Sequence, residues 1–146
     1  MNPSPLQIER HFFTKVLIDA NPAGKVGGAN QLNCEVEVGT AEGDPKRFQV
    51  TMRLKILSVS GVEACYTGEI HAVGLFQVLD GWPEAERLKL VEINGAALLY
   101  GAIRELVINL TSRGPWPPIM LNSVTFVPPK ANPQVPEVAS VAPGQA

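Results

Sequence analysis

Residues 94–113, NGAALLYGAIRELVINLTSR, are apolar around most of a helical cylinder. Leu99, Ile103, Leu106, Val107 and Leu110 fall in one line at helical spacing, and Ala96, Tyr100, Ala102 and Ile108 widen it. Only Glu105, Asn109 and Ser112 make a polar line. A helix with so little polar surface has to be covered from more than one side. In a chain of 146 residues one cover is its own sheet. The other is a second subunit or a bound apolar ligand. Arg113-Gly114 ends the helix, with a cation in the last turn and a glycine just beyond it. Trp82-Pro83-Glu84 reads as an earlier helix start, and Asn94-Gly95 as a break or kink between the two pieces.

The strands come before the helix. Gln7 to Asp19 is rich in Phe, Val, Leu and Ile with apolar residues on both faces, and a glycine-rich loop from Asn21-Pro22 ends it. Leu32, Cys34, Val36 and Val38 alternate with Asn33, Glu35 and Glu37 as a half-buried strand. Phe48, Val50, Met52, Leu54 and Ile56 alternate one for one with Gln49, Thr51, Arg53 and Lys55. This strict period of two sets one face on a core and the other in water. After Ser60-Gly61 the chain alternates less cleanly from Val62 to Val78, and Gly68 and Gly74 on one face mark a bend or the close approach of another backbone. Consecutive strands with short turns leave no room for parallel crossovers. The expected fold is α+β: a four-stranded antiparallel meander backed by one long helix.

The length suits one domain, placed at residues 1–130, and a Pro/Ala/Val-rich stretch at 131–146 reads as a flexible tail of polyproline character. The formal net charge of -2 gives no electrostatic reason to expect nucleic acid or an anionic membrane. No apolar run is long enough to span a bilayer, so direct membrane insertion is not expected. The N-terminus lacks the pattern of a signal peptide, which places the protein in the cytoplasm. Cys34 and Cys65 read there as reduced core thiols.

No constellation for catalysis stands out. Cys65 and His71 share a strand face, but the spacing is not that of a zinc knuckle. Along an extended strand they lie about 20 Å apart, too far for a nucleophile–base pair. The glycines at 24, 27 and 28 precede a strand rather than a helix, so they make no phosphate cradle. The strand carboxylates, Glu69 included, read as a solvated face. The expectation is a protein that is not an enzyme, with no catalytic residue, cofactor or metal. What remains is apolar surplus. Leu75, Phe76, Val78 and Leu79 form a run beside Trp82, and Trp116, Ile119, Met120, Leu121, Val124 and Phe126 sit in a Pro-rich extended segment. They either close the core or line a groove for an apolar ligand.

Three stretches carry a family resemblance: IERHFFTK, the strand pattern to EIHAVGLF, and LLYGAIRELVINLTSRGPWPPIMLNSVTF. With Gly74 to Phe76, the Tyr100, Arg104, Glu105 set and the Ser112 to Gly114 close, the chain from about Gln7 to Phe126 resembles the SecB family of bacterial export chaperones. The resemblance implies a four-stranded antiparallel sheet backed by helix, assembled as a homotetramer (a dimer of dimers), without catalysis. It implies that unfolded precursor proteins are held in apolar grooves and handed to the SecA motor of the translocon. Val36 and Val38 match the groove, with Leu75, Phe76 and Val78 as further candidates and Trp116 and Met120 beside them. Glu69 matches an acidic position used to contact SecA. The chain departs from the pattern at Val16, where the family shows an acid, and a Pro-rich tail replaces a final amphipathic helix and acidic tail. These departures bear on SecA. A narrower client such as an antitoxin, or an apolar-ligand carrier, is the alternative. On this reading Leu99, Ile103, Leu106 and Leu110 back the sheet, and Tyr100 and Ile108 pack between subunits.

Overall fold

The computed structural model describes residues 1–127. The stretch at 131–146, and its reading as a tail, lie outside the described residues. Four strands, β1 (Leu6–Ala20), β2 (Asn30–Ala41), β3 (Asp44–Ser58) and β4 (Tyr66–Val78), form one antiparallel sheet in the order β1-β4-β3-β2. The meander covers β2, β3 and β4. β1 instead crosses to the far edge, beside β4. Spacing alone does not distinguish the two edges, because residues 21–29 are long enough to cross the end of the sheet. That crossing is anchored on the β3–β4 loop. The Asn21 N–H donates to the Cys65 carbonyl (2.8 Å) and the Lys25 N–H to the Glu63 carbonyl (3.0 Å).

The alternation in β3 is realised without exception: Phe48, Val50, Met52, Leu54 and Ile56 are buried. β4 follows the same parity through Tyr66, Ile70, Ala72, Phe76 and Val78. β1 has a different character. Its pairing with β4 shifts between Ile8 and Arg10 and again between Phe13 and Lys15. Each bulge inserts one residue and resets the parity. Leu6, Ile8, His11, Phe13, Val16 and Ile18 therefore share the helix-side face, opposite even-numbered β4 partners. This is why β1 shows apolar residues of both parities in sequence.

The helix runs as α1 (Glu84–Leu90), a π-helical segment (Val91–Gly95) and α2 (Ala96–Thr111). The expected break at Asn94-Gly95 is thus a local widening rather than an interruption. Gly95 lets the helix approach the sheet, since a Cβ there would lie 3.2 Å from Val50 Cγ2. Leu99, Ile103 and Val107 are fully buried against the sheet with Ala96 and Thr111. The contact line therefore sits one residue around from the expected one, and Leu106 and Leu110 flank it half-buried. Truncating Leu99 or Ile103 to alanine would cost about 2–5 kcal/mol.

Gly68 is the tightest point of the sheet. A Cβ there would collide with the Leu17 carbonyl oxygen and lie 2.9 Å from Ile18 Cδ1, whereas one at Gly39 would meet nothing within 4 Å. Gly68→Ala therefore lowers stability by about 1–3 kcal/mol by prying β1 from β4, and Gly39→Ala leaves it near wild type. Thermal denaturation of the two variants side by side checks this.

Candidate functional site

The chain after α2 is extended, and four side chains fasten it. The Tyr66 hydroxyl, buried under the helix end, lies 3.1 Å from the Thr111 carbonyl and 3.0 Å from the Trp116 carbonyl, and it accepts the Trp116 N–H at 3.0 Å. Thr111 Oγ1 donates to the Val107 carbonyl (2.8 Å) and accepts the Ile119 N–H (3.1 Å). Arg104 Nε donates to the Leu121 carbonyl (2.9 Å), and the Tyr100 hydroxyl to that of Asn122 (2.6 Å). The segment thus runs back antiparallel along α2. Gly114 is required here for space rather than for handedness. It has no positive φ, and a Cβ would overlap the Tyr66 ring and hydroxyl.

This corrects the placing of Tyr100 between subunits. Tyr100 is 4% exposed, its ring meets Phe126 edge-on at 6.0 Å, and burial raises its phenol above the ordinary range. Ile108 stays half-exposed on the helix's outer side. The fastened segment turns Ile119, Leu121 and Phe126 toward the core and leaves Met120 (67%) and Val124 (45%) in solvent.

Facing this segment is the helix-side face of β2. The register places Leu32, Cys34, Val36 and Val38 opposite the buried even residues of β3. Unlike those, they are half-buried or exposed, because β2 is an edge strand and the helix lies over β3 and β4. A cleft of about 310 Å³ lined by Asn30, Leu32, Ile119, Met120, Leu121 and Asn122 opens between strand and segment. Cys34 is exposed on this edge, and partial desolvation, then the Glu35 carboxylate, push its thiol up.

The structure therefore gathers Val36, Val38 and Met120 on one side of the molecule. Trp116 is half-buried and tied through Nε1 to the Asn21 carbonyl (2.9 Å), a fastening role. Phe76 (1% exposed) and Val78 (0%) are core and lie apart from this cleft. Leu75, of opposite parity, points to the other face of the sheet. Leu32, Ile119 and Val124 join the site. Their signal was the alternation in β2 and the apolar surplus after the helix, neither of which says which side is open.

The outer face of the sheet is mixed, with ion pairs beside Phe12, Leu17, Val73 and Leu75. Glu69 sits between Lys15 (Nζ–Oε2 3.1 Å) and His71 (Nε2–Oε1 2.7 Å). The His71 hydrogen bond, then Lys15, hold its carboxyl below the ordinary glutamate range. Arg53 pairs with Glu37 at 3.2 Å on the same face. Among the described residues no three His, Cys, Asp or Glu side chains gather as a metal site, and no helix is long and apolar enough to cross a membrane.

Residues 3–128 match the family model described as preprotein translocase subunit SecB. The chain belongs to the SecB family. It is similar to the protein-export protein SecB of Rhodopseudomonas palustris (strain TIE-1), 28% identical over 120 residues that cover 79% of this chain and 76% of that one. The protein-export protein SecB of Psychrobacter arcticus is 23% identical over 125 residues, covering 83% and 82% of the two chains. Among solved structures, the fold is shared with a Mycobacterium tuberculosis SecB-like chaperone in complex with a peptide from an antitoxin, at a TM-score of 0.63 and 24% identity, covering 83% of this chain and 91% of that one. The Tyr100 and Arg104 of the SecB resemblance are thus two of the four side chains that fasten the returning segment along the helix.

Two outcomes follow from this geometry. Tyr100→Phe removes one hydrogen bond and leaves the Asn122 carbonyl short of its donor, lowering stability by about 1 kcal/mol in urea denaturation. Glu69 has a lowered folded value. Its contacts therefore stabilise the fold above the ordinary glutamate range and are lost as pH falls through the folded value. Glu69→Gln consequently melts below wild type near neutral pH, and the gap closes in acid.

Proposed function

We propose that this SecB-family chain is a holding chaperone that binds unfolded or precursor polypeptides in the open apolar strip and keeps them export-competent. The observation that carries this reading is the strip itself: Leu32, Val36 and Val38 are left partly uncovered on β2, and Leu32 and Met120 line the cleft between that strand and the returning segment. Apolar burial contributes about 25 cal/mol per Å² and needs no sequence code, so an extended chain binds and a folded one, with its apolar segments hidden, does not. The family and the named relatives support the export setting, and with it a cytoplasmic location.

A homotetramer, built as a dimer of dimers, belongs to the same reading. Ile8, Val16 and Leu17 on β1 and Leu98 on α2 are each 40–48% exposed in the single chain. Ile8 and Val16 lie on the helix-side face of the edge strand β1 and Leu17 on its outer face, surfaces that other copies would cover. Several strips on one assembly then raise avidity through effective concentration. An apolar-ligand carrier would need a closed sheet around a cavity, and among the described residues this sheet is open, with β1 and β2 at its edges.

SecA is the proposed receiving partner, through Glu69 on the outer face. Here Glu69 already bonds Lys15 and His71, so a SecA cation would have to displace them. That favours a second reading, a narrower client. The Mycobacterium tuberculosis SecB-like chaperone, whose structure contains an antitoxin peptide, is the precedent for such a client.

The test is suppression of aggregation of a chemically unfolded reporter, with light scattering for assembly size. Wild type suppresses aggregation as a tetramer. Val36→Asp with Met120→Asp weakens reporter binding about tenfold or more, and Leu75→Ser on the opposite face does not. A monodisperse monomer without activity overturns the reading. A SecA pull-down lost on Glu69→Ala supports the export partner. Chaperone activity with no SecA capture favours the narrower client.

A further inference from the structure

Arg87 on α1 has no counterion. Its Nε is buried without a hydrogen-bond partner, and among the described residues no carboxylate lies within ion-pair distance of its guanidinium. A buried donor left unpaired costs stability until something accepts from it. Arg87 lines a cavity of about 540 Å³ between the β2–β3 turn and α1, with Ala41, Pro45, Phe48 and Leu88 as its apolar walls. Two carboxylates share this cavity. Asp44 is engaged, accepting from the Lys46 N–H (3.0 Å) and pairing with Arg47 Nε (3.3 Å). Glu84 forms no ion pair among the described residues. Glu84 and Arg87 stand three residues apart on α1, so they share one helical face with Cβ atoms about 5–6 Å apart. The cavity therefore presents one unpaired anion and one unpaired cation beside an apolar wall. It shares no lining residue with the cleft at Leu32 and Met120, and it lies at the other end of β2, about 30 Å along the strand.

We infer that this cavity binds a small zwitterion with an apolar body, a free apolar α-amino acid. The ligand carboxylate accepts from the Arg87 guanidinium, and the ligand ammonium donates to Glu84. The ligand side chain lies against Pro45, Phe48 and Leu88. The charges select this class. A plain carboxylate would satisfy Arg87 and meet repulsion from Glu84 and Asp44. A plain amine would satisfy Glu84 and leave the Arg87 Nε unpaired. A ligand carrying both charges one carbon apart answers both groups with charge-assisted hydrogen bonds. The cavity volume falls within the range of small-molecule sites. The bound ligand ties α1 to the β2–β3 turn, so it stabilises the native chain.

The test titrates the full chain with L-leucine and follows the backbone amides by NMR. Leucine shifts the amides of residues 40–45 and 84–88 saturably, with a Kd of about 1 mM or below. It also raises the melting temperature as its concentration rises. N-acetyl-leucine, which keeps the carboxylate and lacks the ammonium, binds about tenfold or more weakly, and so does leucinamide, which keeps the ammonium and lacks the carboxylate. Arg87→Gln weakens leucine binding by about tenfold or more. Glu84→Gln removes the preference, so N-acetyl-leucine then binds at least as well as leucine. Circular dichroism checks that both variants are folded. Should Arg87→Gln unfold, the comparison of the three ligands on wild type and on Glu84→Gln still decides. No saturable shift at about 20 mM leucine, equal binding by the three ligands on wild type, or shifts centred on Leu32 and Met120 overturns the site.

Discussion

One helix is too narrow to cover four strands. Its girth with side chains is about 10 Å, and a sheet of four strands is about 15–20 Å across. Here the helix settles over β3 and β4, where Val50, Met52, Leu54, Ile56, Ile70 and Ala72 reach zero exposure. The same choice leaves β2 at the margin, with the same apolar alternation and, among the described residues, no helix over it. The apolar strip proposed as the client site derives from that mismatch in width.

The returning segment repairs part of the gap. Its own sequence, GPWPPIMLNSVTF, is rich in proline and makes neither helix nor strand, so its position is imposed by side chains from elsewhere. Tyr66 and Thr111 hold its start, and Arg104 and Tyr100 hold its middle. Their hydroxyls and guanidinium satisfy backbone groups that have no ladder of their own. Inward residues complete the core, and outward ones, Met120 and Val124, become the second wall of the strip. Four side chains hold the segment along the helix, and the edge strand beside it stays partly uncovered.

The strand pattern of β3, the helix bounds and the discontinuity at Asn94-Gly95 were legible before any coordinates, because each is a local property: parity, helical spacing, a weak helix former beside a glycine. Val36 and Val38 were legible as a half-buried pair for the same reason. The errors share another origin. Phe76 and Val78 looked like surplus and are core, because the crossing of β1 to the far edge makes β4 a central strand. Tyr100 looked like an outer residue and is inner, because the segment that covers it arrives from residues 119–126. The two bulges of β1 left only a blurred alternation, since an inserted residue erases the parity that would reveal it.

The sequence by itself determined the elements, their apolar faces, the excess of apolar surface over what one small sheet and helix can bury, and the resemblance that the family match bears out. These depend on neighbours within a few residues. The tertiary structure alone decided which edge of the sheet stays open, which of the apolar residues line it, and that Glu69 is already engaged by Lys15 and His71. Those depend on strand order, bulges and hydrogen bonds between residues far apart in the chain, and local periodicity carries no record of them.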